Sequence, residues 1–350
     1  MAAGLAGAFH DQAVECARHG SPLYASLCEH LAVDLERGGP TAALLAGYAG
    51  APPPLLPLRL LGGIHAAVLS REAPELALHF PSVGGEAGPD GAWPALRRLI
   101  TERPEVLTPW LARTPQTNEV GRCAVLAGGL AHATALCGLA DVDLRELGAS
   151  AGLNLRVDAY RIAGRGPADS PVDLGAAWRG VMPPEAPWRI ADRRGCDADP
   201  VDPATPEGRL ALTAYVWPDD RSRFERLRAA LEVAARIPAV VERADAVDWV
   251  RGLVPASERL TVVWHSVVAL YLPRDRRVEL AESVAALGAL AEPGSPVAWL
   301  RLEPEGRGET FPVRLTLWTG GGRRGRDIML GAARPHGIPV DWTAAGEEPT

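Results

Sequence analysis

Apolar positions change their spacing partway along the chain. Up to about residue 138 they recur at helical intervals. Ser21-Pro22 supplies a cap and a first-turn proline, after which Tyr24, Leu27, Leu31 and Leu35 line one face until Gly38-Gly39 stops the run. Leu58, Leu61, His65 and Val68 do the same within Leu55–Leu69, and further helices are predicted over Trp93–Thr101, Glu105–Ala112 and Glu119–Cys137. Two polar loops lie between them, His79–Gly85 and Thr114–Glu119. Residues 1–138 therefore read as an all-helical N-terminal domain.

From Asp141 short apolar runs alternate with helical patterns, the signature of repeated β-α units around a largely parallel sheet. Strands are predicted over Val142–Leu147, Trp188–Cys196, Val240–Ala244, Leu260–Trp264 and Pro296–Glu303, and helices over Leu153–Arg161, Arg221–Arg236 and Arg274–Ala291. Val313–Trp318 and Asp327–Ala333 flank Gly320-Gly321-Gly322-Arg323 and read as a C-terminal antiparallel hairpin, which brings the sheet to seven strands. Residues 139–342 form this α/β domain, with a Pro/Gly-rich insertion at 164–187, and 343–350 reads as a disordered tail.

Composition narrows the chemistry. The 350 residues contain 36 basic side chains, and every one is arginine. Without lysine there is no Schiff base to pyridoxal phosphate and no phosphate-loop lysine. A net charge of −7 leaves no large basic excess for a nucleic-acid backbone. No apolar stretch approaches the about 20 residues that span a bilayer, and no basic residue precedes the apolar N-terminus, so no membrane and a cytoplasmic location are expected. The five cysteines make no C-x-x-C pair, and no metal site is predicted.

Glu146-Leu147-Gly148-Ala149-Ser150-Ala151-Gly152-Leu153-Asn154 carries the most information, because it follows a strand and opens a predicted helix whose N-terminus would offer free N–H groups. A nicotinamide-type fingerprint fails, since Ser150 and Leu153 stand where glycines are required. Gly148-Ala149-Ser150-Ala151-Gly152 satisfies the nucleophile elbow of a serine hydrolase, with His265 or His336 following in order. The third reading is the acid-x-G-x-G-x-G turn of class I methyltransferases, with Ser150 at the middle glycine. Downstream elements fit it: Asp197 ends the second strand, where a carboxylate receives the ribose hydroxyls, and Asp245-Ala246 ends the third, where an acid meets the adenine amino group or caps a helix. The gap from Gly148 to Asp197 exceeds the usual ~20 residues, and the insertion accounts for most of the excess.

His79–Gly85, Thr114–Arg122, Glu146–Asn154, Gly195–Pro203, Ala214–Pro218 and Val263–Val267 together resemble an uncharacterised family of high-GC bacteria, domain of unknown function 2332. The resemblance spans nearly the whole chain. It implies a methyltransferase-like fold and brings no established substrate or activity.

The expectation is thus a class I methyltransferase-like, Rossmann-like domain that binds S-adenosylmethionine through Glu146, Gly148, Ala149, Ser150, Gly152, Asn154, Asp197, Asp245 and Ala246, and methylates a small molecule. His265, just after the fourth strand, is the candidate base, with a hydrogen-bonded buried histidine as its alternative. Asn118, Glu119 and Arg122, with Gln116, are expected to reach the cleft from the helical domain or to form a polar domain contact. Ser82, with Gly84 and Gly85, would line the same cleft. Two other functions stay open: a degenerate methyltransferase fold that binds without catalysis, and the serine hydrolase built on Ser150.

Overall fold

A computed structural model of the chain describes residues 2–50, 52–53, 55–306, 308–322 and 324–344. Arg323 and, of the expected tail, residues 345–350 lie outside the described residues.

Helices come first: α1 (Ala2–Arg18), α2 (Pro22–Glu36), α3 (Pro40–Leu44), α4 (Leu56–Leu69), α5 (Pro74–Ala77), α6 (Ala92–Glu102) and α7 (Pro104–Ala112). α8 (Cys123–Cys137) leads into β1 (Asp141–Leu147). Three short strands follow, β2 (Arg161–Ile162), β3 (Asp173–Leu174) and β4 (Trp178–Gly180), then the longer β5 (Arg189–Asp197). α9 (Pro206–Ala214) and α10 (Arg221–Ala234) separate β5 from β6 (Val240–Arg243). Next come α11 (Ala246–Arg251), β7 (Leu260–Ser266), α12 (Arg274–Gly288) and β8 (Val297–Leu302), and β9 (Phe311–Trp318), β10 (Arg326–Ala333) and β11 (Val340–Trp342) end the fold.

The chain divides into two compact units, one of Met1–Thr117 with Thr205–Glu225 and one of Asn118–Ala204 with Arg226–Thr350. The sequence pattern alone groups 118–138 with the helices and 205–225 with the sheet. In the helical unit the predicted faces form the core: Phe9, Tyr24, Leu27, Leu31, Leu60, Leu61 and Phe80 are buried together. Ser21 caps α2 by accepting from the Tyr24 N–H. The 205–225 excursion belongs here because α4 is shaped to take it. A Cβ on Gly62 would lie 2.4 Å from the Tyr215 ring, so only glycine admits that side chain.

The second unit is an α/β layer structure with a nine-stranded sheet in the order β4-β11-β10-β9-β8-β7-β1-β5-β6. From β6 through β8 neighbours are parallel, whereas β8, β9 and β10 run antiparallel in succession. The expected hairpin is present as β9 and β10. Seven strands were expected, and the additional two are β11 and, from inside the predicted insertion, β4, paired parallel. Each is three residues long, too short for alternation to show, and each is anchored by a tryptophan: Trp178 donates to the Ala124 carbonyl at 2.9 Å, and Trp342 packs under Gly128 of α8.

α8 lies against β7, β8 and β9. Contrary to the sequence expectation that no apolar stretch is long enough, Val120–Cys137 could by length and composition cross a membrane, but 83% of it is buried. A helix apolar on all sides and covered on all sides is a core helix. Gly129 lets it approach until a Cβ would meet Leu300 at 2.4 Å.

α12 makes a similar close approach on the sheet. A Cβ at Gly288 would stand 2.3 Å from the buried Trp318 ring. Gly288→Ala should therefore lower stability by ~1–3 kcal/mol, read as a lower urea midpoint at unchanged m-value. An unchanged midpoint would show that α12 can move off Trp318 at no cost.

Candidate functional site

Strand order reverses at β1, with β5 and β6 on one side and β7 and β8 on the other. In open parallel sheets the carboxyl ends at such a switch point form a crevice, and the glycine turn follows β1 there. Gly148, Ser150 and Gly152 all take left-handed backbone, at φ +65°, +53° and +66°. The glycines are needed for space as well: a Cβ would meet Val268 at 2.7 Å from Gly148 and Val241 at 2.9 Å from Gly152. Ser150 holds the left-handed conformation with a side chain, which costs on the order of 1–2 kcal/mol.

Four N–H groups of this turn are engaged, contrary to the expectation that they would be free. Ala149 donates to the Cys196 carbonyl at 3.0 Å and Gly152 to Ala149 at 2.7 Å. Ser150 donates to Asp197 Oδ2 and Leu153 to Asn118 Oδ1, both at 2.8 Å. Nor does a long helix follow. Asn154–Ala159 is a six-residue 3-10 segment kinked at Arg156, in place of the α-helix predicted over Leu153–Arg161. The cause is that side chains take the carbonyls an α-helix would use. Arg156 donates to Ala151 and Gly152 at 3.3 and 2.6 Å, Tyr160 Oη to Leu153 at 2.6 Å, and Arg193 to Leu155 at 3.0 Å.

Several sequence-predicted residues meet at this turn. Asp197, at the end of β5, accepts from Ser150 through one oxygen and from the Asp199 N–H through the other at 2.8 Å. Each oxygen keeps a second lone pair. Asn154 donates to Glu146 Oε1 at 3.2 Å and accepts from the Cys123 thiol at 3.2 Å. Glu146 is buried, and burial lifts its pKa to about 8. The Asn154 amide, the nearby Trp264 indole and the Arg122 charge offset only a fraction of that rise.

Among the described residues, Ser150 Oγ is buried at this site without a hydrogen-bond partner, while Glu146 Oε2 and Trp264 Nε1 make no well-aligned hydrogen bond although the indole lies close enough to lower the acid's pKa. Glu146 and Trp264 are register partners across β1 and β7, so they sit together near the carboxyl ends of two central strands. Buried polar groups are nearly always satisfied.

Asn118, Glu119 and Arg122 belong to the unit of the sheet. Asn118 binds the turn directly. Glu119 caps its own 3-10 turn at Gly121 N, 3.1 Å away. Arg122 is buried and ties the end of β7 to the C-terminal segment, donating to Ser266 O at 3.3 Å and Pro335 O at 2.9 Å. Asp245 caps α11, accepting from Val247 and Asp248 at 2.9 and 3.2 Å, and pairs with Arg276; Ala246 opens that helix. Ser82 lies in the helical unit, bonded to His65.

His265 has no ring nitrogen to spare. The Trp299 indole N–H donates to Nε2 at 3.0 Å, which puts the ring proton on Nδ1, 2.7 Å from Glu303 Oε1. Glu303 also accepts from the Val268 and Ala269 N–H groups at 2.8 and 3.1 Å. The histidine is buried and hydrogen-bonded, and through Glu303 it is joined to the loop after β7. Ser150 Oγ is bonded to no histidine. Sequence reasoning misses Arg156, Tyr160, Glu303 and Trp299. Only Arg156 leaves a trace, through the alternation of Leu153, Leu155 and Val157 with polar neighbours.

Fold and site together define an α/β protein with a Rossmann-like sheet and a glycine turn at its switch point. The family described as "Uncharacterized protein conserved in bacteria (DUF2332)" matches residues 6–342, and the chain belongs to it. No curated protein and no solved structure matches the chain.

Since Ser150 bears a side chain where glycine is unstrained, Ser150→Gly should leave the fold intact and keep the melting temperature level or raise it. A drop of several degrees would mean that the hydroxyl has a structural partner in solution.

Proposed function

We propose that the sheet unit binds S-adenosylmethionine at the carboxyl ends of β1 and β5, and that the protein is a methyltransferase acting on a small molecule. One observation carries this reading: at the switch point of a Rossmann-like sheet, Ser150 Oγ is buried without a partner in a left-handed turn pinned by Asp197, next to the strand that carries the buried Glu146. A polar ligand there would supply what the chain does not. The donor set suits an adenosyl amino acid. Asp197 retains lone pairs for a vicinal diol beside the turn. Gly148 and Gly152 permit close backbone approach. Glu146, at the base of the turn, suits a cationic amine, since a neighbouring positive charge would favour its ionised form. Asp245 and Ala246 stand at the end of β6 for the adenine edge, although capping and Arg276 already engage Asp245.

When bound, this cofactor supplies an electrophilic methyl group on a sulfonium. The chain's task is to orient and to exclude water. The left-handed turn, pinned by Asp197, Asn118 and Arg156, gives a rigid wall. His265 holds the loop after β7 with both ring nitrogens engaged. That favours acceptors that lose no proton in the transfer or lose it to solvent, and the −7 net charge favours a small molecule over nucleic acid. A second reading, binding without chemistry, draws on the engaged N–H groups of the turn.

Calorimetric titration with S-adenosylhomocysteine tests the assignment. Wild type should bind, and Asp197→Asn should weaken binding by ~1.5–3 kcal/mol, the value of charged hydrogen bonds. Equal affinity in a folded Asp197→Asn protein would remove the ribose assignment. No binding by wild type at millimolar ligand would remove the cofactor itself, and binding without turnover of any acceptor would favour the second reading.

A further inference from the structure

The serine that has a histidine is in the other unit. Ser82 Oγ lies 2.8 Å from His65 Nε2, and His65 Nδ1 lies 3.1 Å from the Ala214 carbonyl oxygen. A carbonyl only accepts, so Nδ1 carries the ring proton and Nε2 presents its lone pair. The Ser82 hydroxyl therefore donates to His65, and its own lone pairs are left for another atom. We propose that Ser82 is a nucleophile activated by His65, and that it takes up an acyl group from activated esters or thioesters. This is an activity separate from the one proposed for the sheet unit.

Nucleophile, base and a third group orienting the base are the components such a site needs, and they are held firmly. His65 is fully buried on α4, with the Phe80 ring centroid 5.5 Å away and the Phe224 edge at 5.7 Å. Burial draws its pKa down to about 4, so the ring is neutral at physiological pH, and the cost of protonating it confines the reaction to strongly activated acyl donors. Ser82 itself is half-buried, on the 3-10 turn Pro81–Val83 between buried Phe80 and two glycines. Gly84 is left-handed at φ +85°, and a Cβ on Gly85 would strike the Ala77 and Leu78 carbonyl oxygens at 2.4 and 2.6 Å. The turn cannot drift away from the histidine.

The step balances within these groups. Ser82 Oγ bonds to the acyl carbon as its proton passes to His65 Nε2. The bond from that carbon to the leaving oxygen or sulfur then breaks, and the leaving group takes the proton from His65. The products are an ester on Ser82 and an alcohol or thiol. Val83, Gly84 and Gly85 N–H groups already donate to Phe80 and Pro81 carbonyls, so the turn adds no donor for a developing oxyanion. Good leaving groups are therefore required, which selects activated esters and thioesters over amides.

The full-length protein treated with a fluorophosphonate probe should form one adduct, in which Oγ displaces fluoride at phosphorus. Peptide mapping by mass spectrometry should place it on Ser82, and Ser82→Ala should abolish it. Labelling should also vanish in urea, because activation depends on the folded His65 contact. The wild-type map stands even where Ser82→Ala fails to fold. Absence of an adduct on Ser82, an adduct on Ser150 in its place, or equal labelling of the unfolded chain would overturn the proposal.

Discussion

The carbonyls of Ala151, Gly152 and Leu153 have no α-helix to feed, and the sheet unit depends on the side chains that stand in for one. Arg156 is central. Its guanidinium is buried, donates to Ala151 and Gly152, and reaches Ile237 O at 2.7 Å, which ties the turn after β1 to the approach of β6. A buried guanidinium is costly unless its donors are used, and here the planar fork meets several acceptors at once. Asp197 and Asn118 hold the N–H side of the same turn, and Tyr160 a third carbonyl. With both sides fastened, the backbone stays left-handed through Ser150, and Glu146 lies buried at the end of the strand before it, bonded to Asn154.

That arrangement accounts for the unusual polarity of the switch point. Ordinarily the residue following a β1 turn begins a helix, whose N-terminus favours an anion. Here four of the turn's N–H groups are engaged, and the buried acid beneath them is lifted to about 8. The site therefore suits a ligand that brings donors and positive charge. On the neighbouring side of the sheet, Glu303 at the end of β8 has a comparable fastening role. It fixes His265 and the loop after β7, where Val267 is also left-handed at φ +59°.

Much of the fold is legible in the sequence because apolar spacing is imposed by burial. The strands from Val142 to Ala333 and the hairpin emerge within a residue or two of their predicted ends. The short β4 and β11 do not, since three residues carry no period. The helix predicted over Leu153–Arg161 is shortened to a 3-10 segment because Arg156, Tyr160 and Arg193 side chains take its carbonyls, contacts that spacing does not encode. Domain membership is hidden for a different reason. The placement of 205–225 in the helical unit depends on Tyr215 meeting Gly62, a long-range fit that spacing does not encode. At the site, Glu146, Ser150, Asn154 and Asp197 are visible through the glycine turn, while Arg156 and Trp299 are not, because their roles come from contacts far apart in the chain. Both serines stand out in the sequence. Only the structure distinguishes them: Ser150 Oγ meets no histidine, and Ser82 Oγ is bonded to His65.

The most direct test of the site is the titration of Glu146 itself, followed by carbon-detected nuclear magnetic resonance of its carboxyl group with and without S-adenosylmethionine. The free protein should show the carboxyl titrating near 8, since burial without a full set of partners penalises its charge. Saturating S-adenosylmethionine should leave it ionised at neutral pH, because a bound cation offsets that penalty. A carboxyl that titrates in the ordinary carboxylate range in the free protein, or one that keeps its raised value when the ligand is present, would contradict the account.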